Sequence, residues 1–141
     1  MRRAESSENL TEQDLVHVYE CFCDLSRLRI LNLLMASPLC VCHLEQIIGP
    51  PQAKISRHLA YLKSHRMVTT QRYQNWSIYR IEARHSDLMQ MQLKCLQDCT
   101  NELKVFKSDL ALLKGMKADV GWIAKFVDGK PFKVPAKGGC S

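Results

Sequence analysis

Hydrophobic positions change their period several times along the 141-residue chain. After a polar start of about ten residues, Leu15, Val18, Tyr19 and Phe22 recur three and four apart, the stripe of an amphipathic helix. Thr11, followed three residues later by Asp14, resembles a capping box that opens this helix. Leu28, Ile30, Leu31, Leu34 and Met35 predict a second helix, stopped by Ser37-Pro38, with Cys21 and Cys23 as small buried residues at the crossing of the two. A short third helix starts near Cys40 and ends at the Gly49-Pro50-Pro51 corner. The fourth carries Ile55, Leu59 and Leu62 at i, i+4 and i+7. The composition then turns to that of strands. Met67–Tyr73 and Trp76–Ile81 are rich in Val, Thr, Tyr, Trp and Ile and are joined by Gln74-Asn75, with Asn75 expected to tolerate the positive φ of a tight turn. Helical spacing returns in Met89, Leu96, Cys99, Leu103, Phe106, Leu110 and Leu113, which predict one long helix over His85–Lys114 with a coiled-coil-like seam. Residues 115–141 mix Trp122, Ile123, Phe126, Val127, Phe132 and Val134 with lysines and glycines, too apolar for plain disorder, and are expected to fold back on the long helix.

The order from Cys40 to Ile81, helix, tight corner, helix and hairpin, is the outline of a winged helix-turn-helix. The expected fold is mainly α with a small β-hairpin, dimeric through a long C-terminal helix. It divides into a flexible start (1–10), a DNA-binding and dimerisation domain (11–114) and a C-terminal extension (115–141). Opposite the apolar stripe of the fourth helix lie Lys54, Ser56, Arg57 and Tyr61, with Gln52 at the start and His58 among them. Such side chains bind phosphates and read base edges. A merely solvated face would look similar, but the hairpin that follows, with Arg72 and Arg80 along it, shifts the balance to a DNA-reading helix and its wing.

A formal charge of +6 and a pI near 9.0 favour a polyanionic partner. No apolar run approaches the ~18 residues of a membrane span, and MRRAESSENL lacks the apolar core of a signal peptide, so a soluble cytoplasmic protein is expected. Seven cysteines, an odd number, suit thiols and thiolate ligands in a reducing compartment. Without a phosphate-binding glycine loop or a nucleophile–base pair, neither an enzyme nor an organic cofactor is expected.

Four segments together, DLSRLRILNLL (Asp24–Leu34), LCVCHLEQIIG (Leu39–Gly49), ISRHLAYLK (Ile55–Lys63) and WSIYRI (Trp76–Ile81), resemble the ArsR/SmtB family of metal- and metalloid-responsive repressors, from about Thr11 to about Leu103. Pro50-Pro51 stands where that family usually has a polar cap, and Gln74-Asn75 where an acidic-Gly pair is common. The resemblance implies a homodimer joined by its first and last helices, binding a roughly palindromic operator in double-stranded DNA. It also places a sensor pair at Cys40 and Cys42. Thiolates are soft ligands, suited to As(III), Sb(III), Cd(II) or Pb(II), so the inducer is expected to be arsenite, an organoarsenical or another thiophilic ion.

Several points of the sulfur chemistry stay open. A zinc site of the kind the family builds on its last helix needs further histidines, and none follows His85 and Asp87. Three thiolates suit inorganic As(III), yet Glu45 occupies the position where some members add a third cysteine. Cys95 and Cys99, i and i+4 on the predicted long helix, form a second candidate site, and Cys140 could supply a ligand from the tail. His43 and His65 read as helix-surface or DNA-facing residues. A cadmium-, lead- or antimony-responsive repressor, and a regulator driven by thiol oxidation alone, are the competing functions.

Overall fold

The computed structural model describes residues 11–82, 87–99 and 102–135; the polar start, His85 and Cys140 lie outside the described residues. Helix α1 spans Glu12–Cys21. Its capping box is formed, the Thr11 hydroxyl accepting from the Asp14 N–H at 3.1 Å while the Asp14 carboxylate accepts from the Thr11 N–H at 3.0 Å. Helix α2 (Leu25–Ala36) is capped by Asp24, which accepts from the Arg27 N–H at 3.0 Å. A two-residue strand β1 (Leu39–Cys40) precedes α3 (Val41–Ile48) and α4 (Gln52–Ser64), and β2 (Val68–Tyr73) and β3 (Trp76–Ile81) form the hairpin. Helices α5 (Asp87–Cys99), α6 (Lys104–Gly115) and α7 (Lys117–Val127) complete the described chain.

The sheet is antiparallel in the order β1-β3-β2, with Cys40 opposite Ile78 and Tyr73 opposite Trp76. β1 escaped the sequence reading because two residues show no period. Its effect is large, since it ties the start of α3 to the hairpin. The positive φ of the turn falls on Gln74 (53°), not on Asn75. Ile55, Leu59 and Leu62 are buried as their spacing indicates, together with Ile30, Leu31, Leu44, Met67 and Ile78. Of the crossing cysteines, Cys21 is buried and Cys23 is exposed.

The single long helix is corrected. α5 ends at Cys99, and Leu103, expected in a dimer seam, is instead the extended N-cap of α6 and 54% exposed. The break lets α6 return and bury Phe106 and Leu113 on the molecule's own core, where it packs against α2 and α3. Asp109 of α6, 1% exposed, accepts from Arg29 Nε at 2.8 Å and from a terminal guanidinium nitrogen at 2.7 Å. The extension is corrected too. From α7 onward it lies on the hairpin, with Trp122 and Ile123 in the core and Phe132 packed on Tyr73.

Candidate nucleic-acid interface and thiol sites

Burial of Ile55, Leu59 and Leu62 turns the other side of α4 outward, and Gln52, Lys54, Ser56 and Arg57 are all exposed there. Arg72 is exposed on the hairpin, its guanidinium donating to the Gln74 carbonyl at 3.1 Å and to the Ser77 hydroxyl at 3.2 Å. These bonds lay its charge along the hairpin.

His58 and Tyr61 are placed differently from expectation. His58 stands four residues before Leu62 and so borders the buried stripe. Its side chain is 16% exposed and points to Asp24, Nε2 to Oδ1 3.8 Å, with burial lowering its pKa against the pull of that carboxylate. The Tyr61 ring lies 4.3 Å from the Arg27 guanidinium and 4.6 Å from the His65 ring. Arg27 also donates to the carbonyls of Cys21 and Glu20. Both side chains thus hold α4 to α2, and the outward set narrows to Gln52, Lys54, Ser56 and Arg57, with Arg72 on the wing. Nothing in the sequence marked Asp24 and Arg27 for this duty, because neither forms a local pattern with α4.

Cys40 and Cys42 lie in different surroundings. Cys40 is the extended N-cap of α3 and 1% exposed, and burial pushes its thiol up to about 12, so it is protonated in this closed arrangement. Cys42 is half-buried in the first turn of α3 and disulfide-bonded, so holding an ion through both sulfurs requires the reduced chain. Cys40 is thus outside the helix and Cys42 inside it.

His43 overturns its surface assignment. It is 4% exposed, stacks on Trp76 at 5.9 Å between ring centroids, and its Nδ1 accepts from the Cys40 N–H at 3.2 Å. An accepting Nδ1 places the proton of the neutral ring on Nε2. Burial pushes its pKa down from 6.5 to about 4, opposed by the carboxylate of Asp119. The unfolded chain therefore binds the extra proton between these two values, so stability is full above pH 6.5 and is lost as pH falls toward 4. The expected loss is roughly 3 kcal/mol across that window. Urea midpoints from pH 4 to 7 check it, with His43→Asn, which keeps an acceptor near Nδ1, flattening the slope. An equal slope in both proteins would remove His43 as its cause.

Cys95 and Cys99 are exposed on α5 with sulfurs 3.8 Å apart, and their mutual hydrogen bond raises the Cys99 pKa. Two thiolates on one ion at ~2.3 Å stand roughly 3.8 Å apart at a tetrahedral angle, so this pair is spaced for a shared soft ion. Among the described residues no group of three or more Cys, His, Asp or Glu side chains is arranged to hold a metal, and each candidate here offers two cysteine sulfurs. Near this dithiol, Met91 is 70% exposed, and on α1 Leu15, Val16 and Tyr19 are 39–46% exposed. The two helices touch through Gln92 and the Tyr19 hydroxyl, 3.4 Å apart.

Comparison with known proteins gives the same outline. The pattern described as "Bacterial regulatory protein, arsR family" matches residues 24–70. The arsenic resistance transcriptional regulator ArsR1 of Pseudomonas putida is 34% identical over 87 residues, 60% of this chain and 67% of that protein. ArsR2 of the same organism is 42% identical over 66 residues, 45% of this chain and 56% of its own length. The solution structure of a homodimeric winged helix-turn-helix DNA-binding domain from Mycobacterium bovis superposes with a TM-score of 0.55 at 20% identity, covering 74% of this chain and 92% of that one. Its likeness bears on the fold alone, and the sequence relatives carry the family: the chain belongs to the ArsR family of bacterial regulatory proteins.

Proposed function

We propose that this chain is a homodimeric transcriptional repressor that binds operator DNA through α4 and the hairpin, and releases it when trivalent arsenic, as arsenite or an organoarsenical, takes the thiolates of Cys40 and Cys42. The observation that carries the reading is one packing relation. α3, which begins at the cysteine pair, rests directly on α4, whose outer side presents Gln52, Lys54, Ser56 and Arg57. A thiol-bound ligand at the start of α3 therefore acts one helix away from the DNA-reading surface. The arsenic-resistance relatives support the choice of inducer, with Cd(II), Pb(II) and Sb(III) as competitors in the same assay. The exposed apolar residues of α1 and α5 support pairing through those helices, and the Mycobacterium bovis domain of the same fold is described as homodimeric. Two such protomers would present two α4 helices to half-sites about one DNA turn (~34 Å) or a multiple apart.

A second reading has its own observation. Cys95 and Cys99, with sulfurs 3.8 Å apart, stand close enough to join on oxidation, so oxidation of that pair, or of Cys40 and Cys42, is the metal-free alternative. Arsenite titration of the reduced protein against peroxide treatment separates the two.

Arg57→Ala is expected to weaken operator binding by about 1–3 kcal/mol, the worth of a bidentate base contact. Wild-type affinity should also fall steeply with salt, since phosphate contacts release counterions. Fluorescence anisotropy on the operator measures both. An unchanged Kd in a mutant with native circular dichroism would remove α4 from the interface.

A further inference from the structure

The described C-terminal arm carries none of the outward polar side chains of α4 and no cysteine, yet it touches both α3 and the hairpin. α6 is pinned to α2 by Arg29 and Asp109 and lies against α3. α7 then delivers Trp122 to the hairpin, 5.2 Å from Trp76 in a T-shaped contact and 5.8 Å from Tyr73. Phe126 and Phe132 reach the same Tyr73 at 4.9 and 5.2 Å. Tyr73 and Trp76 are paired residues on either side of the turn, so the arm grips the hairpin at its tip. Trp76 also stacks on His43, and His43 is bonded to the Cys40 backbone. The rings of His43, Trp76 and Trp122 therefore form one continuous path from the cysteine segment through the wing to the arm. A two-stranded hairpin on its own is marginal in water, so what packs against it decides how firmly it is held.

We propose that Trp122 is a positioning residue for operator binding: the arm clamps the wing against the start of α3, and a shift of the Cys40–His43 segment passes to the wing through the His43–Trp76–Trp122 contacts. The inducer half of this proposal rests on the function proposed above, and the wing half does not. Offset and T-shaped ring contacts depend on geometry, so tilting His43 alters how Trp76 meets Trp122. The Trp122 Nε1 is buried with no hydrogen-bond partner among the described residues. Among the described residues Trp122 thus holds the wing by ring packing and not by a hydrogen bond, and its grip loosens when that packing is disturbed.

The test uses the full-length reduced chain, with Trp122→Ala and Trp122→Phe. Hydrogen exchange of the hairpin amides is read with and without arsenite, and operator Kd by anisotropy. In Trp122→Ala the hairpin amides should exchange faster while those of α2 and α4 stay protected, and operator affinity should fall about tenfold. Arsenite should speed exchange of the same hairpin amides in the wild type and add little in Trp122→Ala. Trp122→Phe should restore protection and affinity. Unchanged hairpin exchange and Kd in Trp122→Ala overturn the proposal, as does equal loss of protection in α2 and α4, which marks a general stability role. Should Trp122→Ala not fold, Tyr73→Leu attacks the contact from the wing side, and the same pair of outcomes decides. A wild-type chain that binds operator but ignores arsenite refutes the inducer assignment, and the hairpin exchange of Trp122→Ala still decides the clamp.

Discussion

Asp109→Ala is expected to lower the unfolding free energy by about 3 kcal/mol, the low end of the 3–5 kcal/mol found on breaking buried ion pairs. Asp109 is 1% exposed and receives two short hydrogen bonds from Arg29. The same bonds hold the Arg29 pKa above its ordinary value, more than burial lowers it. Removing the carboxylate leaves a guanidinium half-sheltered between α2 and α6, its side chain 18% exposed. That residual access to water sets the cost at the lower end of the range. Removing both charges, as in Arg29→Met with Asp109→Leu, should cost distinctly less than Asp109→Ala alone, because no charge remains to be desolvated. Urea denaturation of the two single mutants and the pair forms the double-mutant cycle. An Asp109→Ala midpoint within about 0.5 kcal/mol of wild type would show that α6 is held by its apolar side chains alone.

That ion pair also shows where sequence reading stops. Arg29 and Asp109 are 80 residues apart, and no local period joins them. The segment from Met89 to Leu113 keeps its helical spacing without a glycine or proline, so nothing in it announces a break at Leu103. Phe106 and Leu113 are buried on the molecule's own core, a tertiary contact that the local period does not encode. By contrast, the α4 stripe and the hairpin were legible to within a residue, because each is a repeated local pattern whose burial follows its period. In the sequence the cysteine pair is two soft sulfurs two residues apart, and their surroundings are hidden. Nothing in CVC tells that β1 seals Cys40 or that His43 turns inward onto Trp76. His58 and Tyr61 were misplaced for a related reason. A helix wheel separates buried from exposed, but the boundary residues go wherever a neighbouring helix offers a partner, and here α2 offers Asp24 and Arg27.

Cys40→Ser and Cys42→Ser are each expected to abolish release of operator DNA by arsenicals while leaving DNA affinity in their absence within about twofold of wild type. The closed position of Cys40 explains why ligand binding would be felt at a distance. At 1% exposure, with its thiol pushed up to about 12, Cys40 meets an arsenical as a thiolate only after its segment opens. Opening disturbs the Cys40–Ile78 pairing and the Cys40–His43 hydrogen bond together. Arsenite and methylarsenite bring hydroxide groups that leave as water with the two thiol protons, so their apparent affinity should stay nearly flat across the neutral range. A divalent cation, which releases those protons, should instead bind more tightly as pH rises. A hundredfold loss of operator affinity requires the ligand to favour the free form by only about 2.7 kcal/mol. The pair offers two sulfurs, and methylarsenite needs only two, so it is expected to release operator at lower concentration than arsenite. Anisotropy titrations with both species on the reduced protein measure this. Full response in the Cys40→Ser/Cys42→Ser double mutant, lost instead in Cys95→Ser/Cys99→Ser, would move the sensor to the α5 dithiol and discard the route through α3.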